Sequence, residues 1–280
     1  MHISLVITTY NRPDALKIVL SALSVQRTSV DFEVIIADDG STKETATLIE
    51  QTRVTVPYSL HHVWQEDKGF RAAMARNRAI AMACGDYVIF LDGDCVPLSD
   101  FVASHYQLAE LGWFVVGNRI LLSQRLTHQV IDHAWPVWTW SFSQWGRFYL
   151  RGDVNRLFPL VKLPKLFRTY RSHTWQGAKT CNLGVWREDL LSVNGFDEGF
   201  EGWGHEDAEL VVRLLKSGIR RKEGRFAVPV CHLWHPQQDR LWERKNWQRL
   251  EYSLSAREIF AQQGVQQYLN VSKQEGGHPC

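Results

Sequence analysis

The sequence predicts an α/β fold with a mostly parallel sheet flanked by helices, and three observations predict it. Short β-branched, apolar runs alternate with amphipathic segments from the N-terminus onward. These runs are apolar throughout, as strands covered on both faces require. Each one ends in polar, turn-forming residues, and open parallel sheets place their ligand crevice at those strand ends.

The elements follow in order along the chain. Residues 3–8 read as a strand ended by Thr9, Tyr10, Asn11, Arg12 and Pro13, and residues 14–25 as the next helix, with Asp14 or Asn11 as its cap. Residues 32–37 form a second strand, stopped by Asp38-Asp39-Gly40-Ser41. Residues 42–52 form a helix, with Ser41 or Thr42 capping toward Glu44. Residues 58–64 are a third strand, 69–83 a third helix and 87–91 a fourth strand running into Asp92-Gly93-Asp94. The alternation predicts that residues 8–12, 38–41 and 92–94 converge at one cleft. Further on, 177–186 reads as loop and strand, 187–193 as a short helix and 207–217 as an amphipathic helix. Residues 226–232 read as a late strand, 241–263 as a terminal helix and 275–280 as a frayed tail.

Composition narrows the function classes. The 280 residues are 45% hydrophobic and 22% charged, enough for a packed core and incompatible with global disorder. A net charge of +2 argues against a general nucleic-acid binder. No apolar run approaches the ~18 residues that span a bilayer. The N-terminus lacks a basic region and a small-residue cleavage site, so no signal peptide and a cytoplasmic location are expected. Five scattered cysteines without a CxxC (Cys84, Cys95, Cys181, Cys231, Cys280) predict reduced thiols. The composition shifts at residues 123–175, which hold eleven aromatics and eight Lys/Arg against two acids. This stretch suits a lid over an acceptor, a peripheral contact with anionic membrane on its inner face, or an insertion whose tryptophans pack on the sheet.

Several groupings carry potential chemistry. Asp92 and Asp94 on an extended segment can approach one hard divalent cation, or divide between metal and sugar hydroxyls; alone, DxD is as readily an Asx-rich turn. Asp38 and Asp39 can accept from a nucleoside imide or ribose, or cap a helix. Arg71, Arg76 and Arg78 offer planar forks that match a diphosphate, or simply solvated helix faces. Trp203-Gly204-His205-Glu206-Asp207 opens a helix. Its acids complement the helix dipole, but an adjacent tryptophan and glycine are unusual for capping, and a carboxylate there can deprotonate an acceptor hydroxyl. His232 or His235 can ligate a metal or serve structure.

In order and spacing, VITTYNRP, IIADDGS, GFRAAMARNRAI, FLDGD and NLGVWREDLLSVNGFDEGFEGWGHEDAEL resemble an inverting family 2 glycosyltransferase of GT-A fold. The GWG-x-ED segment is similar to galactosyl- and N-acetylgalactosaminyltransferase-type domains. The resemblance covers about residues 3–122 and 177–235, and it implies roles position by position. Thr9, Tyr10 and Arg12 would border the base, Asp38 or Asp39 would bind uracil or ribose, and Arg71 or Arg76 would lie near the diphosphate. Asp92 and Asp94 would be the DxD pair, Asp94 binding Mn²⁺ or Mg²⁺ with His232, or His235 as second choice. Asp207 would be the catalytic base and Glu206 would orient a sugar, with Trp203 and Gly204 forming the sugar platform. His205 departs from the glycine common at its position.

The implied activity is single-displacement transfer of a hexose or N-acetylhexosamine from a UDP-sugar to a saccharide or glycolipid hydroxyl. Rival readings are a nucleotidyltransferase, whose Gly-rich first loop TTYNRP lacks, and a non-catalytic sugar-binding module, which leaves the acids and late histidines unused. The expected organisation is one domain over 1–280. Residues 1–122 would form its nucleotide-binding half, 123–176 an aromatic and basic insertion, 177–240 the acceptor and catalytic half, and 241–280 a C-terminal helix and tail.

Overall fold

The computed structural model describes residues 1–163, 168–237 and 239–269. The N-terminal half alternates as expected: β1 (Ile3–Thr9), α1 (Pro13–Ser24), β2 (Phe32–Asp38), α2 (Lys43–Arg53), β3 (Ser59–Trp64), α3 (Ala72–Met82) and β4 (Tyr87–Asp92). Next come β5 (Cys95–Pro97), α4 (Phe101–Leu108), β6 (Trp113–Val116), β7 (Asn118–Leu121), α5 (Gln124–Asp132) and α6 (Phe142–Leu150). The chain continues through β8 (Asn182–Trp186), α7 (Arg187–Ser192), α8 (Glu206–Lys216), β9 (Arg220–Glu223), β10 (Pro229–His232) and α9 (Glu243–Ser255).

The main sheet has seven strands in the order β3-β2-β1-β4-β8-β6-β9, and a second sheet has the order β5-β10-β7. Strands β3, β2, β1 and β4 run parallel, whereas β8 is antiparallel to both β4 and β6. The continuous apolar character of β1 serves two cores at once. Ile3, Leu5 and Ile7 enter one cluster with α1, and Val6 enters the other with α3 and Phe90. The parallel register pairs Thr9 with Asp38, Asp38 with Trp64 and Thr8 with Asp92. Segments distant in sequence thereby meet at one sheet edge, the expected cleft.

Several expectations are corrected. Neither Asp14 nor Asn11 caps α1; Arg12 occupies the cap position without a side-chain bond. Asn11 instead takes a left-handed φ of 48°, and its Oδ1 accepts from Thr42 N–H at 2.8 Å while its own N–H donates to Ser41 Oγ at 2.9 Å. Asn11 and Ser41 are spent tying the first two strand-end loops together. The Thr42 hydroxyl turns to Glu44 rather than capping α2. Helix α3 starts at Ala72 because Arg71 N–H is taken by Asp39. The late strand is shortened to Pro229–His232 and the terminal helix to Glu243–Ser255; the expected tail lies outside the described residues.

Within residues 123–175 the tryptophans pack on one another. Trp140 stacks on Phe148 at 4.6 Å and meets Trp145 edge-on at 5.0 Å, Trp145 is 2% exposed, and Trp135 and Trp138 cover the same core. Cys95, Cys181 and Cys231 are free and buried. Cys84 departs from the all-thiol expectation: it is disulfide-bonded, at a half-buried position. Among the described residues no helix is long and apolar enough to cross a membrane.

Gly184 of β8 faces Tyr87 of β4 so closely that an added Cβ would fall within contact distance of the Tyr87 hydroxyl. Gly184→Ala is therefore expected to cost about 1–3 kcal/mol of stability in chemical denaturation by overpacking. The companion Tyr87→Phe, which removes a buried hydroxyl lacking a partner but keeps the ring carbons that the new methyl also meets, should recover only part of that loss.

Candidate active site

One buried guanidinium gathers the cleft. Arg76 of α3, 4% exposed, donates from Nε to Thr8 Oγ1 at 3.0 Å and from Nη1 to Glu206 Oε1 at 3.1 Å. Its Nη2 lies 3.5 Å from Asp92 Oδ1, and its flat face covers Phe196 at 5.4 Å. The start of α8 is thereby clamped to the ends of β1 and β4. Burial would lower Arg76, but Glu206 and Asp92 together hold its pKa above the usual value.

The turn into α8 is tight: Gly202, Gly204 and His205 all have positive φ, at 69°, 111° and 73°. A left-handed histidine is costly, and His205 packs edge-on against Trp247 of α9 at 5.2 Å. A bidentate Glu209–Arg213 pair, 2.7 Å on each arm and fully buried, anchors the helix beyond. The turn presents the two acids differently. Glu206 is held by Arg76, whereas Asp207 has no ion-pair partner among the described residues, its Oδ1 accepting from Ala208 N–H at 2.7 Å. Burial, reinforced by the Glu206 charge, pushes Asp207 up to about 7.

Opposite lies a three-donor cluster in which one ligand atom each from Asp94, His232 and His235 falls within 4.8 Å of the others. His232 Nε2 is 3.7 Å and His235 Nε2 3.3 Å from the Asp94 carboxylate. Burial pushes His232 down to about 3, which leaves it neutral with a lone pair to give. His235 Nδ1 donates to Pro236 O at 2.7 Å, so its Nε2 carries the lone pair facing Asp94. Burial, then Asp92, raises Asp94 to about 6, and its Oδ1 is buried without a partner. A carboxylate with two imidazoles suits Mn²⁺ better than Mg²⁺, which prefers oxygen donors. Asp92 stands apart from this cluster, on Arg76.

At the β1–β2–β3 edge the two candidate base-binding acids separate. Asp38 accepts from Ser41 N–H and His62 Nε2, both at 2.8 Å, and stays inside the fold. Asp39 accepts from Gln65 Nε2 at 2.7 Å and Arg71 N–H at 2.8 Å, and burial raises it to about 6. Gln65 Oε1 and Thr9 Oγ1 are buried without partners beside it. Tyr10, half-exposed, donates its hydroxyl to Asp67 at 2.9 Å, and Arg12 pairs with Asp14 at 3.0 Å.

The remaining candidates lie to one side. Arg71 pairs with Glu201 at 2.9 Å, away from the three-donor cluster. Both line a cavity of about 220 Å³ with Trp203 and Trp242. The Arg240 guanidinium covers the Trp203 ring at 5.1 Å. Gly204 has nothing within contact distance of an added Cβ. Gln65, Trp242 and Arg119 belong to the surroundings of the site but escape sequence reasoning; only Gln65, the first polar residue after β3, carries a positional signal.

Removing the Arg76 clamp should be severe. Arg76→Met leaves Glu206 and Asp92 unpaired, so unfolding is expected about 3–5 kcal/mol earlier in a denaturant titration. Arg76→Lys, which keeps the charge but not the fork, should recover part of that loss.

Two family models match the chain: "Glycosyl transferase family 2" over residues 4–176 and "N-terminal domain of galactosyltransferase" over residues 160–233. Validoxylamine A glucosyltransferase from Streptomyces hygroscopicus subsp. jinggangensis is 33% identical over 229 residues, 78% of this chain and 52% of its own length. Hyaluronan synthase from Pasteurella multocida is 29% identical, with 77% of this chain and 23% of that protein covered. Chondroitin synthase from Escherichia coli is 28% identical, with 80% and 34% covered. The chain thus spans about half, a quarter and a third of these relatives. Among solved structures, S. aureus TarS 1–349 in complex with UDP superposes with a TM-score of 0.60 at 15% identity, covering 98% of this chain and 72% of that one. Mannosyltransferase PcManGT from Pyrobaculum calidifontis, in complex with GDP-Man and Mn²⁺, gives 0.61 at 17% identity, covering 98% and 68%. With this fold and a family model spanning well over half its length, the chain belongs to glycosyl transferase family 2 and carries the GT-A fold.

Proposed function

We propose that the chain transfers a hexose or N-acetylhexosamine from a UDP-sugar to a hydroxyl of a saccharide or glycolipid, inverting the anomeric carbon. The observation that carries this reading is the unpaired, proton-hungry Asp207 at the mouth of α8, across from the Asp94–His232–His235 donor set. The relatives named as glucosyltransferase and polysaccharide synthases support it, as do neighbours solved with UDP, UDP-GlcNAc or GDP-Man.

In this mechanism Asp39, Thr9 and Tyr10 receive the nucleoside, with Gln65 holding Asp39 in place. Arg76 keeps Glu206 and Asp92 stationary, so Glu206 can orient a sugar hydroxyl through its unpartnered Oε2. Trp203, with Trp242 beside it, offers an apolar face to the acceptor ring. Asp207 takes the acceptor hydroxyl proton as that oxygen bonds to the anomeric carbon from the face opposite the diphosphate. The bond to the diphosphate breaks and its electron pair leaves with UDP. Asp94, His232 and His235 would hold a divalent cation, Mn²⁺ before Mg²⁺, and its chemistry there is Lewis-acid neutralisation of the leaving diphosphate. No second carboxylate nucleophile is needed, unlike in a retaining glycosidase.

We assign the nucleotide to residues 1–122 and the acceptor to residues 177–240. Phe142, Tyr149 and Leu150 are exposed on α6 beside Arg147 and Arg151, which supports a peripheral contact with the cytoplasmic face of a membrane.

The test is UDP release from a panel of UDP-sugars with Mn²⁺ or EDTA. One donor should turn over slowly without acceptor, and EDTA should abolish that turnover; metal-independent release would contradict the roles of Asp94 and His232. Asp207→Asn should bind UDP normally but lose about 10²–10⁴ in kcat. The same variant should melt higher than wild type at pH 8. The folded carboxyl holds its proton to about pH 7, whereas the unfolded one releases it near 4. Its ionisation therefore opposes folding increasingly as pH rises through that window. A sugar-binding module would keep saccharide affinity in this variant and show no turnover in wild type.

A further inference from the structure

The arginines that sequence offers for a diphosphate are already engaged. Arg76 divides its N–H groups among Thr8, Glu206 and Asp92, Arg71 pairs with Glu201, and Arg78 lies over the Tyr268 ring at 5.9 Å. Arg119 is different. It lies on β7, which runs beside β10 with Arg119 opposite Val230 and Leu121 opposite His232. Its backbone carbonyl accepts from Arg156 at 2.9 Å, but among the described residues its guanidinium has neither a hydrogen bond nor an ion pair.

The guanidinium is half-buried and carries five donors without partners. Its charge acts on Cys181, Cys95, Asp92 and Asp94, and it also helps to hold His232 neutral. Ligand atoms of Asp92, Cys95 and Cys181 lie within 4.8 Å of one another, and burial keeps the Cys95 thiol protonated. Arg119 thus lies near Cys95, Cys181 and both DxD carboxylates and is paired with none of them. Leaving such a group desolvated is unfavourable unless a ligand meets its donors. A planar fork next to a metal-donor cluster matches phosphate oxygens.

We propose that Arg119 is a donor-binding residue that contacts the diphosphate of the nucleotide sugar from the β7 side. The inference rests on the nucleotide-sugar reading above. Arg119 would stay with the diphosphate as negative charge grows on the leaving group, sharing that charge with the cation at Asp94, His232 and His235.

The test is calorimetric titration of the wild type, Arg119→Met and Arg119→Lys with UDP, UMP and uridine, each in Mn²⁺. Arg119→Met should weaken UDP by about 10- to 100-fold while leaving uridine unchanged, and Arg119→Lys should fall between. Near-UV circular dichroism reports whether each variant keeps its packing. Unchanged UDP affinity in Arg119→Met would overturn the contact. Equal losses for UDP and uridine would overturn it too, because they would mean that Arg119 only supports the fold. Failure of the wild type to bind any of the three nucleotides would instead overturn the donor reading, and the inference with it.

Discussion

The Arg76 guanidinium lies beneath the cleft and joins three parts of the chain that are otherwise separate: β1 through Thr8, the DxD turn through Asp92, and the start of α8 through Glu206. Burying one cation against two carboxylates is not a source of net stability by itself, because desolvation cancels most of the Coulomb gain. Its consequence is positional. Two carboxylates held by one buried guanidinium must stay close to it, so the α8 turn cannot drift from the strand ends. The strained turn at Gly202, Gly204 and His205 is tolerable because Arg76 on one side and the Glu209–Arg213 pair on the other fix its exit.

That constraint divides the acids by role. Glu206 and Asp92 face Arg76 and are held in place by it, although burial raises Asp92 too. Asp207 directly follows Glu206 and Asp94 lies two residues past Asp92, neither paired with the clamp, and burial raises both. Asp94 finds two imidazoles, a donor set for a cation. Asp207 finds only its own helix N-terminus and keeps its affinity for a proton. One buried cation therefore leaves two carboxylates paired and two unpaired with it within a few residues, an arrangement that suits acid–base and metal chemistry at neighbouring groups.

Much of this was legible in the sequence, for physical reasons. The parallel half follows from apolar runs with polar ends, and DDGS, DGD and the ED pair meet in one cleft because parallel registers align strand ends. The short strands β5, β6, β7 and β9 were not legible, since three or four residues carry no period. Helix caps were misplaced because Asn11 and Ser41 serve a contact between loops, which local rules cannot see. The composition of residues 123–175 left a lid, a membrane contact and a packed insertion open, and in the structure Trp135, Trp138, Trp140 and Trp145 pack into the core or on one another. Arg71 and Arg76 look alike in GFRAAMAR, and only tertiary structure turns one toward Glu201 and buries the other. Arg119 has no motif at all; its place comes from β7 lying beside β10 in the second sheet.

The pH dependence of kcat/KM at saturating Mn²⁺ tests the account most directly. Asp207 acts as a base only when ionised, so the rate should fall below about pH 7 with a slope of one proton, and the acid limb should vanish from the residual activity of Asp207→Asn. A profile flat down to pH 5 in the wild type, or an acid limb that survives in Asp207→Asn, would contradict the assignment of Asp207 as the group that accepts the acceptor's proton.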